Sequence, residues 1–483
     1  MPLARASADR ASKSRIPLAA ALLAAATSLL LGAVCWGFTV DDALITCRYA
    51  HHLATGRGYV MSAGGPSTDG VTPLGFAHLL SLFAAGGSER ALFAAKLLGL
   101  TVHTGGAALL AFSIAKIEAP VHKWAGLAIY FAALPVSAWS VSGLETGFVE
   151  GLVALGASLR VLGKLDRLGI ALLAIAAGLR PELLPMVVIL SVPRGQHDSD
   201  PSFGLAAFGR LAMASAPFVL VAVTRALLFG RPAPLSVLAK RPDLTLGFRY
   251  ALACLLLTGF VALLAPIAWR RGARFTRWLS LALVGHTLAI AFAGGDWMPI
   301  SRLFVPAMPI LALAVAGLAA TSHVAWAGGR LVLALAGEIF VWVNLSSKIM
   351  HVSRDREALI AELRAPLEGR RVIAALDIGF VGVAAPDASV VDLAGVTDPE
   401  IAILPGSHTE KQIPDGLLQS RGVDTLVFGL KEGAALADPW THSSFARGVE
   451  RWVALAPDLD QQFEPVFVSS GRLKYVVIVR HSK

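Results

Sequence analysis

Long apolar runs alternate with short polar segments over about the first 350 residues of the chain. The first uncharged run, 16–40, follows the basic residues Arg5, Arg10, Lys13 and Arg15. A helix needs about 20 apolar residues to cross a bilayer. Further spans are therefore predicted near 91–113, 122–140, 146–163, 204–229, 245–268, 278–294, 303–321 and 330–349. The pattern is typical of a polytopic α-helical membrane protein with roughly 9–11 spans.

Three segments depart from regular spans. Residues 42 to about 54 suit a short interfacial helix that ends at Gly56, and 73–86 is too short for a crossing. The run 168–192 is interrupted by Arg180-Pro181-Glu182. Because proline removes a backbone donor and clashes with the preceding turn, this run is predicted to be kinked or re-entrant.

The character of the chain changes near residue 351. Short β-like runs occur at 372–376, 390–393, 425–428, 466–469 and 474–479, after a helical stretch at 354–367. The sequence therefore predicts a cytoplasmic basic N-terminus at 1–15, a transmembrane domain at 16–350 with an outer loop at 38–73, and a soluble α/β domain at 351–483.

Composition supports the membrane prediction. The 483 residues are 55% hydrophobic and 16% charged, with a formal net charge of +9, whereas soluble proteins carry about 25% charged residues. The basic residues fall in short clusters between apolar runs, as positive-inside loops do. This distribution excludes nucleic acid as the expected partner. It predicts a multi-pass protein of the cell (inner) membrane with a cytoplasmic N-terminus and an extracytoplasmic C-terminal domain.

Two adjacent carboxylates, Asp41 and Asp42, directly follow the first apolar run. Acids cover no apolar area at a bilayer surface, so a ligand, a metal or proton transfer has to be considered. The alternative is that Asp41 caps a short surface helix and Asp42 complements its dipole. The spans predict that Glu145 returns to the same outer face.

Other charged residues that interrupt apolar sequence are predicted on this face as well. They are Arg48, Lys240, Asp296 and Arg302, with Arg180 and Glu182 as further candidates. Carboxylates can act as a general base or bind a divalent cation, with Asp41, Asp42 and Glu145 as possible ligands, although the sequence leaves any metal requirement open. Arginine and lysine can neutralise a phosphate leaving group. The combination favours sugar transfer from a lipid phosphate.

The sequence resembles the integral-membrane GT-C glycosyltransferases, most closely the subgroup of terminal β-(1→2) arabinofuranosyltransferases. The likeness extends from about residue 38 to 400 and consists of segments in the same order: 41–50, 69–74, 142–146, Arg180-Pro181-Glu182, 229–240, 294–299 with Arg302, and 391–399. Two segments depart from the family pattern, Thr68-Asp69-Gly70 and Ala233-Pro234-Leu235-Ser236. Arabinose is therefore not assumed as the sugar.

The resemblance implies inverting transfer of a sugar from a polyprenyl-phosphate donor to a glycan or other cell-envelope acceptor on the extracytoplasmic side. It implies a general base at Asp41, or at the adjacent Asp42. It implies donor phosphate binding by Arg48, Lys240 and Arg302. Supporting roles are expected for Glu145, Arg180, Glu182, Asp296 and Trp297. In the tail, Asp377, Asp392 and Asp398 could line a cleft, but an interpretation as turn residues at strand ends is favoured.

Two other classes of function remain open from the sequence. Broken helices with buried charges also mark transport pathways, so a lipid-linked glycan transporter or flippase is one alternative. A non-catalytic glycan-binding membrane scaffold is the other. The absence of evident inverted halves and the position of the acids at one face favour the transferase.

Overall fold

The computed structural model describes residues 2–193, 205–240, 243–259, 265–296, 298, 300–431, 442–457, 459–471 and 474–481. The chain is mostly helical, with a small C-terminal sheet. Its α-helices are α1 (Pro2–Val34), α2 (Asp41–Ala54), α3 (Leu74–Ser81), α4 (Ser88–Lys116), α5 (Ala125–Ala132), α6 (Leu134–Ser140), α7 (Thr146–Val161), α8 (Asp166–Leu179), α9 (Leu184–Ser191), α10 (Leu205–Phe229), α11 (Leu235–Ala239), α12 (Leu244–Leu257), α13 (Ala265–Arg271), α14 (Arg274–Phe292), α15 (Met308–Leu318), α16 (Val324–Leu367), α17 (Ile378–Ala384), α18 (Pro399–Ala402), α19 (Leu417–Ser420), α20 (Gly448–Val453) and α21 (Leu459–Gln462).

Five helical segments in the described part of the chain are long and apolar enough to cross a membrane. They are Arg15–Val34, Ser88–Lys116, Leu205–Phe229, Arg274–Phe292 and Val324–Asn344. Shorter apolar helices lie at Pro181–Ser191, Leu244–Leu257 and Arg302–Leu318. The five segments agree with a membrane protein.

Some predicted spans have a different local structure. The segment 122–140 contains two helices, α5 and α6. Pro135 lies in the first turn of α6, and the N–H of Leu134, where α6 begins, donates to the Glu338 carboxylate at 3.2 Å. The segment 245–268 begins as the 14-residue helix α12. The predicted span 330–349 and helix 354–367 form one continuous helix of 44 residues, α16. The predicted break at Arg180-Pro181-Glu182 is confirmed, since α8 ends at Leu179.

The chain divides into two compact units. The first unit comprises Met1–Trp36, Lys96–Val221 and Pro242–Ser347. Its helices approach closely at small residues. A Cβ atom added to Gly151 of α7 would lie 2.4 Å from the backbone carbonyl carbon of Val102 in α4. The glycine is therefore what lets the two helices pack at this distance.

The second unit comprises Gly37–Ala95, Ala222–Arg241 and Lys348–Lys483. Its strands are β1 (Val372–Ala375), β2 (Ser389–Asp392), β3 (Thr425–Gly429), β4 (Phe463–Val468) and β5 (Tyr475–Arg480), which confirms the five predicted strand regions. The order is β2-β1-β3-β5-β4. The strands β1, β2 and β3 are parallel, whereas β5 pairs antiparallel with β3 and β4.

Both faces of this sheet are covered by apolar side chains. On one face, Ile373 and Val477 pack with Leu44 and Tyr49 of α2 and with Leu363 of α16. The other face carries a second cluster that includes Ala374, Leu426, Phe445, Val449 and Ile478. Side chains alternate along each strand, so both clusters use the same strands. The helix that carries the acidic pair is thus part of the hydrophobic core of the second unit.

Candidate functional site

Asp41 lies at the start of α2 and is buried, with 6% of its surface exposed. Its carboxylate accepts hydrogen bonds from the backbone N–H groups of Gly379 (3.1 Å) and Phe380 (2.8 Å). These donors belong to the first turn of α17, which has no partners for them within the helix. The N-cap of α2 is Val40. The alternative that Asp41 caps its own helix is therefore wrong, because it caps α17.

Arg48 binds the opposite end of the same helix. Its Nε donates to Met61 O (2.7 Å), its Nη1 to Gly382 O, and its Nη2 to Ala388 O (2.8 Å). An acid near the N-terminus and a base near the C-terminus of α17 both complement the helix dipole. Burial lowers the pKa of Arg48 to about 10, so the side chain stays charged at neutral pH. Since all three nitrogens of the guanidinium bind carbonyls, this geometry does not favour the predicted phosphate contact.

The environment of Asp41 changes its proton affinity. Burial raises its pKa well above the ordinary value, and the charges of Asp377 and Asp42 raise it further, while the two backbone hydrogen bonds lower it. Asp42 is half-buried. The hydrogen bond described for Asp42 reaches its backbone carbonyl, from Thr46 Oγ1 at 3.2 Å. One carboxylate of the pair is thus held by α17, and the other is accessible.

Further titratable groups lie at the carboxyl ends of β1 and β3. Asp377 follows β1 and accepts a hydrogen bond from the Tyr475 hydroxyl. Glu450 is 1% exposed, and its carboxylate accepts from the N–H groups of Gly429 and Arg447, both at 2.9 Å. Burial raises the pKa of Glu450 to about 7. The carboxyl edge of parallel strands is where α/β proteins usually bind ligands.

Sequence reasoning missed these neighbours of the acidic pair. The sequence favours a turn role for Asp377 over a place in a cleft, and Glu450, Tyr475 and Arg447 belong to no motif. For Asp392 and Asp398 the turn interpretation is confirmed. Asp392 accepts from Ala394 N (2.8 Å), and Asp398 caps α18 through Glu400 N and Ile401 N. Only the position of Asp377 directly after a strand could have identified it.

Lys240 follows α11 and is half-buried. Its segment docks onto the 69–72 loop, where Leu235 N donates to Asp69 O at 3.1 Å. The Thr72 and Ser236 hydroxyls are 3.3 Å apart. Leu235 and Ala239 also pack against Ala402 of α18, which follows β2. The two segments that depart from the family pattern therefore contact each other in the second unit.

In the first unit, Glu145, Arg180 and Glu182 form a buried ionic cluster. Arg180 Nη1 lies 2.9 Å from Glu145 Oε1, and Arg180 Nε lies 2.8 Å from Glu182 Oε1. Arg180 has an extended backbone before Pro181, which brings the side chain of Glu182 within reach despite a spacing of two residues. The three predicted supporting residues are therefore brought together.

Asp296 and Arg302 form a second ion pair in the first unit. The Arg302 Nε to Asp296 Oδ2 distance is 2.7 Å, and the guanidinium lies 5.9 Å from the Trp139 ring centroid. Between them, Ile300 and Ser301 have positive φ angles of 56° and 52°. Backbone strain of this kind costs roughly 1–3 kcal/mol and is often found at functional loops. Trp297 lies outside the described residues.

The two ionic clusters of the first unit are linked by shared neighbours. His286 binds Glu182 O (3.2 Å) and Leu303 O (2.9 Å) through its two ring nitrogens. Trp139 Nε1 donates to Ile300 O at 2.9 Å, and the Ser142 hydroxyl donates to Trp139 O at 3.1 Å. Segments distant in sequence, at 139–145, 180–182 and 296–303, therefore assemble into one polar region.

The metal prediction can be compared with the arrangement of possible ligands. Across the described ranges, no group of three or more His, Cys, Asp or Glu side chains is placed to hold a metal ion. Asp41 already uses both carboxylate oxygens for backbone N–H groups. The arrangement of the described side chains therefore gives no support for a divalent-cation site.

No family model matches the sequence, and no curated protein matches it. The class defined by the structure is a mostly helical protein with a small C-terminal sheet, in which the described residues include five helices long and apolar enough to cross a membrane.

Proposed function

We propose that the protein is a membrane glycosyltransferase that moves a sugar from a polyprenyl-phosphate donor to a glycan or other cell-envelope acceptor. The observation that carries the proposal is the acidic pair at the start of α2. Asp41 is buried, held by α17 and raised in pKa, and the half-buried Asp42 lies beside it. A cap alone would require only one of these carboxylates. A carboxylate with a perturbed pKa close to other carboxylates is typical of acid–base sites.

In the proposed reaction, Asp42 accepts the proton of the acceptor hydroxyl as its oxygen attacks the anomeric carbon of the donor sugar. The bond from that carbon to the phosphate oxygen breaks, and polyprenyl phosphate leaves with the bonding electron pair. Attack opposite the leaving group inverts the anomeric carbon. Asp41 is a positioning residue, because its contacts with α17 fix the first turn of α2. General-base assistance of this kind is worth about 10² to 10⁴ in rate.

The remaining predicted residues divide between two roles. Lys240 keeps its proposed role as a cation for the donor phosphate, since its segment packs against α18 at the carboxyl end of β2. Arg48 is left out of this role because its guanidinium binds the end of α17. The role proposed for Arg302, which pairs with Asp296, is to organise the polar region of the first unit together with Glu145, Arg180 and Glu182.

The orientation proposed is a GT-C type multi-pass topology in the cell membrane, with a cytoplasmic N-terminus and an extracytoplasmic sheet. Clusters such as Arg270 and Arg271 support it. The native cysteines, Cys35, Cys47 and Cys254, are buried, so a cysteine introduced as Glu464→Cys is a specific probe. We expect a membrane-impermeant maleimide to label this variant in spheroplasts. Labelling that occurs only after permeabilisation would place the sheet in the cytoplasm.

The base assignment is tested with Asp42→Asn in the full chain reconstituted in liposomes. The assay supplies a panel of polyprenyl-phosphoryl pentoses and hexoses with a cell-envelope glycan preparation as acceptor. We expect the transfer rate to fall by about 10² to 10⁴ with an unchanged melting temperature. The exposed Asp387→Asn serves as the matched control and should keep wild-type transfer. Normal turnover in Asp42→Asn, with loss of turnover in a stable Asp41→Asn, would contradict the assignment.

A further inference from the structure

A second group of buried polar side chains lies in the second unit, where the 68–72 loop meets the end of α10. Asp69 is 0% exposed and Arg225 is 2% exposed. Asp69 Oδ2 lies 3.2 Å from Arg225 Nε, and Arg225 Nη2 donates to Val71 O (2.8 Å) and Thr72 O (2.6 Å). Burial raises the pKa of Asp69, and the charges of Arg225 and of the nearby Arg231 act against this rise.

Several atoms of this group have unused hydrogen-bonding capacity. Asp69 Oδ2 and Arg225 Nε pair with each other, but among the described residues no hydrogen-bond partner is found for the buried Tyr59 Oη, Asp69 Oδ1 or Arg231 Nε. Buried polar atoms are bonded in the large majority of cases, so three unsatisfied atoms at one place require an explanation. A bound polar ligand would supply the missing partners.

The charges indicate the sign of that ligand. Two guanidinium groups, those of the buried Arg225 and the half-buried Arg231, lie near the one carboxylate of Asp69, which leaves an excess of one positive charge when all three groups are ionised. An unpaired buried charge is costly, and arginine pairs especially well with phosphate. The carboxylate oxygens of Asp69 can only accept while it is ionised, which suits a hydroxyl next to the phosphate. The site therefore fits a singly charged phosphodiester that also carries hydroxyl groups.

The position of the group identifies the source of this phosphate. Arg225 lies four residues before the end of the candidate span Leu205–Phe229. The nearby apolar side chains Val223, Leu227 and Leu228 are exposed, Leu227 to 81%. A cation at the end of an apolar helix lies at the level of lipid headgroups. A lipid with its chains along α10 would place its phosphate beside the two arginines.

We propose that Arg225 and Arg231, with Tyr59 and Asp69, form a binding site for the headgroup of an anionic phospholipid that carries free hydroxyls, such as phosphatidylglycerol. In this site the guanidinium groups bind the phosphate, the Tyr59 hydroxyl donates to it, and Asp69 accepts from a headgroup hydroxyl. The site does not depend on the proposed sugar transfer. It would place an annular lipid where the 68–72 loop joins α10.

The test is native mass spectrometry of the full chain, titrated separately with phosphatidylglycerol, phosphatidylcholine and inorganic phosphate. We expect Arg231→Gln to weaken phosphatidylglycerol binding by about tenfold or more, the loss expected for one charge-assisted contact. The exposed Arg57→Gln removes the same charge in the same unit and should bind as the wild type does. Tyr59→Phe, which keeps the ring that packs against Tyr49 and Phe229, should weaken binding several-fold and is the second variant should Arg231→Gln fold poorly.

Four results would overturn the proposal. Equal weakening by Arg231→Gln and Arg57→Gln would mean general charge attraction. Equal binding of phosphatidylcholine, which carries the same phosphodiester with a choline cation and no hydroxyls, would mean that neither the net negative charge nor the headgroup hydroxyls are recognised. Inorganic phosphate binding as tightly as phosphatidylglycerol would identify a free-ion site in place of a lipid site. Unchanged binding in both Arg231→Gln and Tyr59→Phe would assign the group a purely structural role.

Discussion

Glu450 makes the stability of the sheet in the second unit depend on pH. Its side chain is 1% exposed, and burial raises its pKa from the ordinary 4.5 to about 7. The folded protein therefore holds the Glu450 proton more tightly than the unfolded chain does. The resulting stability is fully present below pH 4.5 and is lost as the pH rises through about 7.

The size of the effect follows from the difference between the two pKa values. One pKa unit corresponds to about 1.4 kcal/mol, so Glu450 contributes about 3 kcal/mol of stability at low pH relative to pH 8. Asp392 contributes a further loss of stability that occurs at a lower pH than that of Glu450, because burial raises the pKa of Asp392 to about 6. A change of about 3 kcal/mol alters the opening equilibrium of a cooperative unit by about a hundredfold.

The assay is amide hydrogen exchange of β3 and β5 in the full chain in nanodiscs, corrected for the intrinsic pH dependence of exchange. We expect wild-type protection to fall by about a hundredfold between pH 5 and pH 8. Glu450→Gln, which cannot ionise, should lose most of this fall, whereas the exposed Glu368→Gln should keep it. An equally large fall in Glu450→Gln would refute the reasoning, since the titrating group would then lie elsewhere.

Two further substitutions test the packing of each unit. Arg48→Lys should destabilise the second unit by about 3–5 kcal/mol, because lysine cannot reach the three carbonyls that the guanidinium binds. The control Arg57→Lys should leave the melting temperature of the second unit unchanged. Equal melting temperatures for the two variants would contradict the role of the Arg48 guanidinium. Gly151→Ala should destabilise the first unit by about 1–3 kcal/mol, because its Cβ would lie 2.4 Å from α4 backbone. Gly105→Ala, where no atom lies within 4 Å of the added Cβ, is the control, and similar losses for both glycines would contradict the close-packing argument.

Local features of the fold were predictable from the sequence. The five strands are short apolar β-branched runs, and their positions agree with the structure to within a few residues because alternation and turn residues specify them locally. The ends of α2 at Asp41 and Ala54 follow from its polar start and from Gly56, which has a φ of 73°. The break after Leu179 follows from Pro181.

Contacts between distant segments were not predictable. Asp41 meets Gly379 across 338 residues and Arg48 meets Gly382 across 334 residues, and no local pattern specifies either pairing. The break between α5 and α6 at Ala133 depends on Glu338, whose carboxylate lies on another helix and accepts a hydrogen bond from the N–H of Leu134. A pattern of apolar runs gives the length of each helix, and it does not give the carboxylate or carbonyl that satisfies its ends.

In the candidate site, too, local features were predictable from the sequence and contacts between distant segments were not. Arg180 pairs with Glu182 because Pro181 gives Arg180 an extended backbone, which is a local effect. Its second partner, Glu145, is brought to it by the packing of a distant segment. The roles within the acidic pair could not be distinguished from the sequence, since adjacent aspartates are equivalent until their neighbours are known. The groups around Asp41, including Asp377, come from the distant C-terminal strands.

The most direct test of the proposed sugar transfer is to measure both products with the wild-type chain in liposomes, using the same donor panel and an acceptor glycan. We expect glycosylated acceptor and polyprenyl phosphate to form in equal amounts, with inversion at the anomeric carbon, and Asp42→Asn to form neither at a comparable rate. Movement of the intact lipid-linked sugar across the bilayer without acceptor, and with no polyprenyl phosphate released, would contradict the proposed transfer and would support a flippase.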